Sequence, residues 1–303
     1  MLRELKRILP YVDLFRNSMI FAIRRTFRKV SNYAPEFSII VTGIDHTLID
    51  GSMIHEVLTD KFGAKKADET MRELQDFQKV DLKGDRWLLA AIYMIIDLDV
   101  SKQDYFKTLN RLNDEGKIKM DIIEILQDQI DKGNKKVIVI TKGSPSFVAE
   151  WFAQKHGFHA GYGHTIAEHS ENDKGEKTPS AVIELIGEKN GVLENVPVRT
   201  KLNKVREFCK LNGIVFDKKR VALIADDHFD SKEMLECFGI LIVPNKEPTK
   251  DQMLASRFGL CDVKVEEAHE HAKLHLVKVL SSTKKKHLPR GSRKGKEEFA
   301  LVN

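Results

Sequence analysis

Four short apolar runs, each closed by polar residues or proline, punctuate a chain that is otherwise mostly helix-patterned. Ser38-Ile39-Ile40-Val41-Thr42 runs into Gly43-Ile44-Asp45, and Val137-Ile138-Val139-Ile140 runs into Thr141-Lys142-Gly143-Ser144-Pro145. Val221-Ala222-Leu223-Ile224 runs into Ala225-Asp226-Asp227, and Ile240-Leu241-Ile242-Val243 stops at Pro244. Short aliphatic runs without polar alternation predict strands buried on both faces, and the helical segments between them predict a parallel sheet covered on both sides. About eighty helix-patterned residues follow Gly51-Ser52. Within them Trp87–Ile96 is apolar all round, so it must be covered from two directions. Ligands of such sheets bind beyond the carboxyl ends of the strands. Three of the four runs put polar residues there. Ser144-Pro145 predicts a helix start, with Ser as N-cap and Pro in the first turn, whose free N–H groups would favour an anion.

The two ends of the chain look different from this body. In residues 12–30, Phe15, Met19, Ile23 and Phe27 recur at helical spacing while Arg16, Arg24 and Arg28 lie off the stripe. This helix either packs on the body or on a second copy, or lies in an anionic membrane interface. Residues 284–296 hold seven Lys/Arg, no acid and no interleaved aromatic. Such a tail attracts phosphate or lipid headgroups rather than stacking on bases, or simply solubilises.

Charge sharpens that division. Residues 1–30 carry eight Lys/Arg against two acids and residues 271–303 nine against two, so at a total of +5 the body between them is net acidic. The ends, not the body, are the segments suited to a membrane, a nucleic acid or an acidic partner. Cys209, Cys237 and Cys261 are too scattered for a disulfide framework or a CxxC metal site and suggest reduced thiols in the cytoplasm. The apolar run Met19–Ile23 is short for a signal peptide, and no stretch approaches the ~20 apolar residues of a transmembrane helix. A soluble, cytoplasmic or peripherally attached protein is expected. At 303 residues and 42% apolar content there is room for two domains or one decorated domain.

Gly43-Ile44-Asp45-His46-Thr47-Leu48, following a hydrophobic strand, resembles the first motif of the haloacid dehalogenase (HAD) superfamily of phosphohydrolases, Asp-x-Asp-x-Thr-Leu. Asp45 and Thr47 fall on the second Asp and the Thr, and Gly43 falls on the nucleophilic Asp. Val137–Ile140 then Thr141 is similar to the second motif, whose hydroxyl donates to a phosphoryl oxygen. In Thr200-Lys201-Leu202-Asn203-Lys204, Lys204 is taken as the charge-neutralising lysine of the third motif, with Lys201 as runner-up. The strand ending in Asp226-Asp227-His228-Phe229-Asp230 resembles the fourth, in which the residue matching Asp226 ligates a metal and Asp227 and Asp230 support it. Adjacent carboxylates repel unless a cation sits between them, and a hard cation with oxygen ligands, Mg²⁺, suits them. The backbone carbonyl of Asp45 would be a further ligand.

The resemblance implies an α/β fold, a Rossmann-like parallel sheet HAD core (37–52 and 132–270) with an inserted helical cap (53–131), of the phosphoserine-phosphatase-like branch. The amphipathic helix (1–36) and the basic helix or tail (271–303) stand outside it. His156-Gly157-Phe158 through Gly175–Thr178 resembles the β-rich segment that this branch carries after motif two. His156, His159, His164 and His169 match no zinc spacing, and His271/His275 are at best a weak chelating pair.

Family chemistry is covalent: the first Asp attacks phosphorus, Mg²⁺ clamps the oxygens, and the second Asp serves as acid and then base. Glycine can do none of the first task, and Mg²⁺ loses one ligand, so its binding is weakened or absent. The expected function is a pseudophosphatase that binds a phosphorylated small molecule or protein. Its alternatives are an active Mg²⁺-dependent phosphomonoester hydrolase and an adaptor for an anionic membrane or nucleic acid reached through the basic termini. Oligomeric state is not legible.

Overall fold

A computed structural model describes residues 37–80, 86–171, 177–187, 191–193, 195–225 and 238–241. The amphipathic N-terminal segment, the basic tail and the run Asp226–Asp230 lie outside the described residues, as do Cys237, Cys261 and the C-terminal histidines. The four aliphatic runs form strands β1 (Ile39–Thr42), β2 (Lys136–Pro145), β7 (Val221–Ala225) and β8 (Phe238–Leu241). The last begins two residues earlier than the run that predicts it. Between β2 and β7 come β3 (Ala160–Glu171), β4 (Lys177–Ile186), β5 (Gly191–Leu193) and β6 (Val196–Arg199). The strands make one sheet in the order β5-β6-β4-β3-β2-β1-β7-β8.

β1 lies between β2 and β7 and is parallel to both, with Thr42 opposite Val139 on one side and Ile224 on the other. Parallel strands place their carboxyl ends on one edge, so the ends of β1, β2 and β7 lie together there. β3 continues the parallel set beside β2, then turns antiparallel against β4. The helices are α1 (Met53–Phe62), α2 (Ala64–Val80), α3 (Arg86–Asp97), α4 (Lys102–Asp114), α5 (Met120–Asp131), α6 (Ser146–His156) and α7 (Lys201–Leu211).

The central strands are buried on both faces, which explains their unbroken aliphatic sequence. Because successive side chains alternate, Ile40, Val137, Val139, Ala222 and Ile224 join Met53, Tyr105, Leu109, Ile123 and Phe152 of the helices in one cluster. Ile39, Val41, Ile138, Ile140, Val221 and Leu223 meet Leu202, Val205 and Phe208 of α7 on the other face. The all-apolar α3 is covered from two directions as its composition demands: Ala91 and Ile95 enter the main cluster, while Leu88, Leu89 and Ile92 pack on Val182, Leu185, Val196 and Val198 of β4 and β6.

Helices α1 and α4 are also joined by charge. Arg111 reaches Glu56 at 2.6 Å and Asp60 at 2.8 Å, while Ser101 and Asp104 form a capping box at the start of α4. Pro145 forces one correction. β2 runs through Ser144 to Pro145, Pro145 itself takes the N-cap position of α6, and Ser146 rather than Pro145 opens the helix. Ser144, the expected cap, is buried in the strand, and its Oγ makes no hydrogen bond.

Burial of two histidines fixes a pH dependence. His156 sits among Trp151, Phe152 and Phe158, and burial followed by the nearby Lys155 charge lowers its pKa to about 4. Burial likewise lowers His164 to about 4, against a weak opposing contact with the Lys142 carbonyl. Both rings are neutral in the folded protein near neutrality, whereas in the unfolded chain they protonate near pH 6.5. Between pH 6.5 and 4 the unfolded state therefore binds more protons, and stability falls as the solution is acidified. Urea unfolding at pH 7 and pH 5 is expected to show a loss of about 2 kcal/mol per histidine, with a shallower dependence in His156→Gln.

Candidate functional site

The loop after β1 is a tight knot of backbone hydrogen bonds. The N–H groups of Thr47, Leu48 and Ile49 all donate to the carbonyl of Ile44, and His46, at φ 54°, donates to Gly51. Residues just before α5 pin the knot from outside. Lys119 Nζ donates to the His46 carbonyl at 2.6 Å, and Ile49 bridges to Ile118. The backbone around Asp45 is thus fixed by the helical insertion as well as by the sheet.

Asp45 projects from this knot against two neighbours. Its Oδ1 accepts the Met53 backbone N–H at 2.6 Å, so the carboxylate does the capping at the start of α1 that Ser52 leaves undone. A hydrogen bond from a helix N-terminus holds the side chain in place. Its Oδ2 lies where a Cβ on Gly143 would come within 2.7 Å. Gly143, two residues past Thr141, is what lets the irregular last part of β2 close onto Asp45. The sequence reading passed over Gly143. Replacing it with Ala is expected to push Asp45 off the Met53 N–H, and an ångström of misplacement costs about 10²-fold in rate. In an activated background, assays of Gly143→Ala should show that loss with little change in thermal stability.

Gly43 is buried at the end of β1, its N–H donating to Ile224 of β7 at 3.2 Å. A Cβ placed on it would lie 3.3 Å from Thr47 Oγ1 and 3.8 Å from Thr47 Cβ, its nearest contacts among the described residues outside the adjoining chain. Thr47 is fully buried and its hydroxyl has no hydrogen-bond partner. Thr141 is buried at the end of the regular part of β2.

Tyr105 of α4, fully buried and packed edge-on against Phe147 at 5.4 Å, stands near enough to feel Asp45. Burial, then the charges of Asp45 and Asp104, drive its phenol pKa upward. Lys102 lies over Phe147 and Phe106 at 5.3 and 5.8 Å, so an aromatic wall joins α4 to the start of α6.

The two candidate lysines are placed differently. Lys204 donates to Glu184 at 2.6 Å and approaches Glu207 at 3.3 Å, with Tyr162 beneath it. Burial works against its charge, but these carboxylates raise its pKa. Lys201 is the first residue of α7, follows the Thr200 cap, and is 2% exposed. Asp226 follows Ala225 at the end of β7 and lies with Asp227 and Asp230 outside the described residues. Among the described residues no group of three His, Cys, Asp or Glu could hold a metal. His159 is occupied structurally, between the Val137 N–H and Lys136. Asp45 alone is an incomplete oxygen donor set for Mg²⁺.

No protein-family model matches the chain, nor does any curated protein sequence. Among solved structures, it is similar to a HAD family hydrolase from Salmonella enterica subsp. enterica serovar Typhi, with TM-score 0.52 and 14% identity over 72% of this chain and 69% of that one. A phospho-aspartyl intermediate analogue of phosphoserine phosphatase aligns at TM-score 0.48 and 15% identity, covering 68% and 86%. A phosphoserine phosphohydrolase-like protein from Francisella tularensis subsp. tularensis SCHU S4 aligns at 0.47 and 16%, covering 68% and 87%. At such identities the likeness is one of fold. The chain shares the fold of that hydrolase, a Rossmann-like parallel α/β core with an inserted helical segment. Among the described residues no helix is long and apolar enough to cross a membrane.

Proposed function

We propose that this protein is a catalytically impaired member of the HAD phosphatases that binds a phosphorylated small molecule or protein segment. The observation that carries the reading is the combination at the end of β1. Glycine stands at the nucleophile position, while Asp45 keeps a helix-capped carboxylate and Gly143 keeps the space for it. Without a carboxylate at position 43 no aspartyl-phosphate forms, and one negative charge that would oppose a phosphate is gone. The Thr141 hydroxyl and a buried lysine then make an anion pocket with backbone N–H groups. We assign that lysine role to Lys201, which is 2% exposed and opens α7 directly after the Thr200 cap, with Lys204, which also meets Glu184 and Glu207, as the alternative. Mg²⁺, where it binds, would be held by Asp226 and the Asp45 carbonyl and would neutralise phosphoryl charge.

Isothermal titration with phosphate and a phosphomonoester tests the reading. Millimolar binding is expected, weakened about tenfold or more in Lys201→Met, since a charge-assisted hydrogen bond is worth roughly 1.5–3 kcal/mol, and nearly unchanged in Lys204→Met. Absence of any binding at millimolar ligand overturns it. Recruitment of an anionic surface through the basic termini belongs to the same proposal, and salt-sensitive liposome binding lost on deleting residues 284–303 would support it.

A further inference from the structure

We propose that the end of α7 and the loop leading from it to β7 form a docking surface for an anionic lipid bilayer. Leu211 and Val215 are its insertion points, and Lys210, Lys218 and Arg220 its cationic rim. The proposal carries to the body of the protein the anionic-surface recruitment assigned above to the termini, and it rests on that reading for the choice of partner. Leu211 is 75% exposed and Val215 89%, while Ile214 and Phe216 on either side of Val215 pack against the cluster beneath α7. The turn between the two exposed residues is closed by its own hydrogen bonds. Gly213 takes φ 65°, the Ile214 N–H donates to the Cys209 carbonyl at 2.8 Å, and the Asn212 side chain donates to the Phe208 carbonyl at 2.9 Å. Val215 is thus held outward by two neighbours that are held inward.

The loop lies at the amino ends of the parallel strands, on the edge of the sheet opposite Asp45 and Gly143. Ile39 of β1 stands opposite Val221 of β7, and the Ser38 N–H donates to the Arg220 carbonyl at 2.9 Å. The chain therefore enters the described fold beside this loop. The sequence leading to that entry carries the apolar stripe of Phe15, Met19, Ile23 and Phe27 with Arg16, Arg24 and Arg28 beside it. One surface can meet both, and a body docked there keeps the edge that carries Asp45 turned to solvent.

Charge selects the bilayer over other occupants. A single exposed apolar side chain is ordinary on any protein. Here two project from one turn among the exposed Lys210, Lys218 and Arg220, with Asp217 as the acid between them. Apolar tips that enter the acyl boundary while cations meet anionic headgroups make an interfacial contact. The chain's own N-terminal stretch is a poor cover for this loop, since its eight Lys/Arg against two acids in residues 1–30 would set like charge on like. A second copy packed on the same face would do the same, because a two-fold interface brings each cation to its own kind.

The test uses the full chain and sedimentation with vesicles of phosphatidylcholine, alone or with about 30% phosphatidylserine. Binding to the anionic vesicles is expected, falling with salt and absent from the neutral ones. Leu211→Ser combined with Val215→Ser is expected to weaken it about tenfold or more, with Tm unchanged because both side chains are exposed. Val215→Trp, read as a difference from the native emission spectrum, is expected to shift to the blue when anionic vesicles are added. Deleting residues 284–303 should weaken binding and leave that shift intact at saturating lipid. Vesicle binding without the blue shift, or binding unchanged in the double serine variant, overturns the docking loop and leaves recruitment through the termini standing. A native chain that ignores anionic vesicles overturns both. An emission from Val215→Trp that is already blue without vesicles also overturns the loop: at every protein concentration it means cover by the chain's own segment, and only at high concentration cover by a second copy. None of these outcomes bears on the phosphate reading, which the titration tests separately.

Discussion

Gly43→Asp is expected to hydrolyse a generic aryl phosphate in Mg²⁺ buffer at least about 10³-fold faster than the native protein, since it restores a group that acts only in the transition state. Space allows the change. Among the described residues the new Cβ's tightest contact is the Thr47 hydroxyl at 3.3 Å, a side-chain oxygen that can give by a few tenths of an ångström. Gly43 is not among the glycines with positive φ, so an L side chain is not strained there. The new carboxylate would accept from the Thr47 hydroxyl, which has no partner in the native chain. Asp45 is already in place on the Met53 N–H. Asp226→Asn in the Gly43→Asp background should return the rate to the native level. Native activity that Asp226→Asn abolishes would mean that a different nucleophile exists, and the impaired reading would be wrong.

That contrast between two glycines shows what the sequence could and could not convey. The aliphatic runs of β1, β2 and β7 were legible because strands buried on both faces need unbroken apolar sequence, and α3 because its apolar ring demands two packing partners. Gly43 stood out because the residues around it resemble a motif. Gly143 was not, since its role depends on a loop from β2 meeting a side chain from the loop after β1, and nothing in either segment announces the other. The third-motif lysine was ambiguous for a similar reason. Lys201 and Lys204 lie one helical turn apart, and the contact of Lys204 with Glu184 is made by a residue brought in from β4, which neither position announces. Ser144-Pro145 misled because its cap signal is local, whereas pairing of Pro145 with His164 of β3 carries the strand one step further.

The parallel strand β3 exposes a second constraint, and its removal should be the largest stability effect in the fold. Gly161 and Gly163 lie two residues apart, so they present the same face of β3. A Cβ on Gly161 would come within 2.2 Å of the Ala149 carbonyl carbon and 2.4 Å of the Glu150 nitrogen. A Cβ on Gly163 would come within 2.3 Å of the Ser144 carbonyl oxygen. Every one of these atoms is backbone, so no rotamer change relieves the clash. The strand rests directly on helix α6 and on the end of β2. Gly161→Ala must therefore separate β3 from α6 and open the cluster around Ala149, Phe152 and Ala153. A loss of about 4 kcal/mol or more is expected, lowering Tm by roughly 10 °C. Gly116→Ala is the control. It carries φ 67° with nothing within 4 Å, so only the left-handed backbone is penalised, by about 1–2 kcal/mol. Equal losses in the two variants, read by calorimetry, would mean that β3 and α6 are not in backbone contact. A much larger loss at Gly161 would establish that β3 rests backbone to backbone on α6.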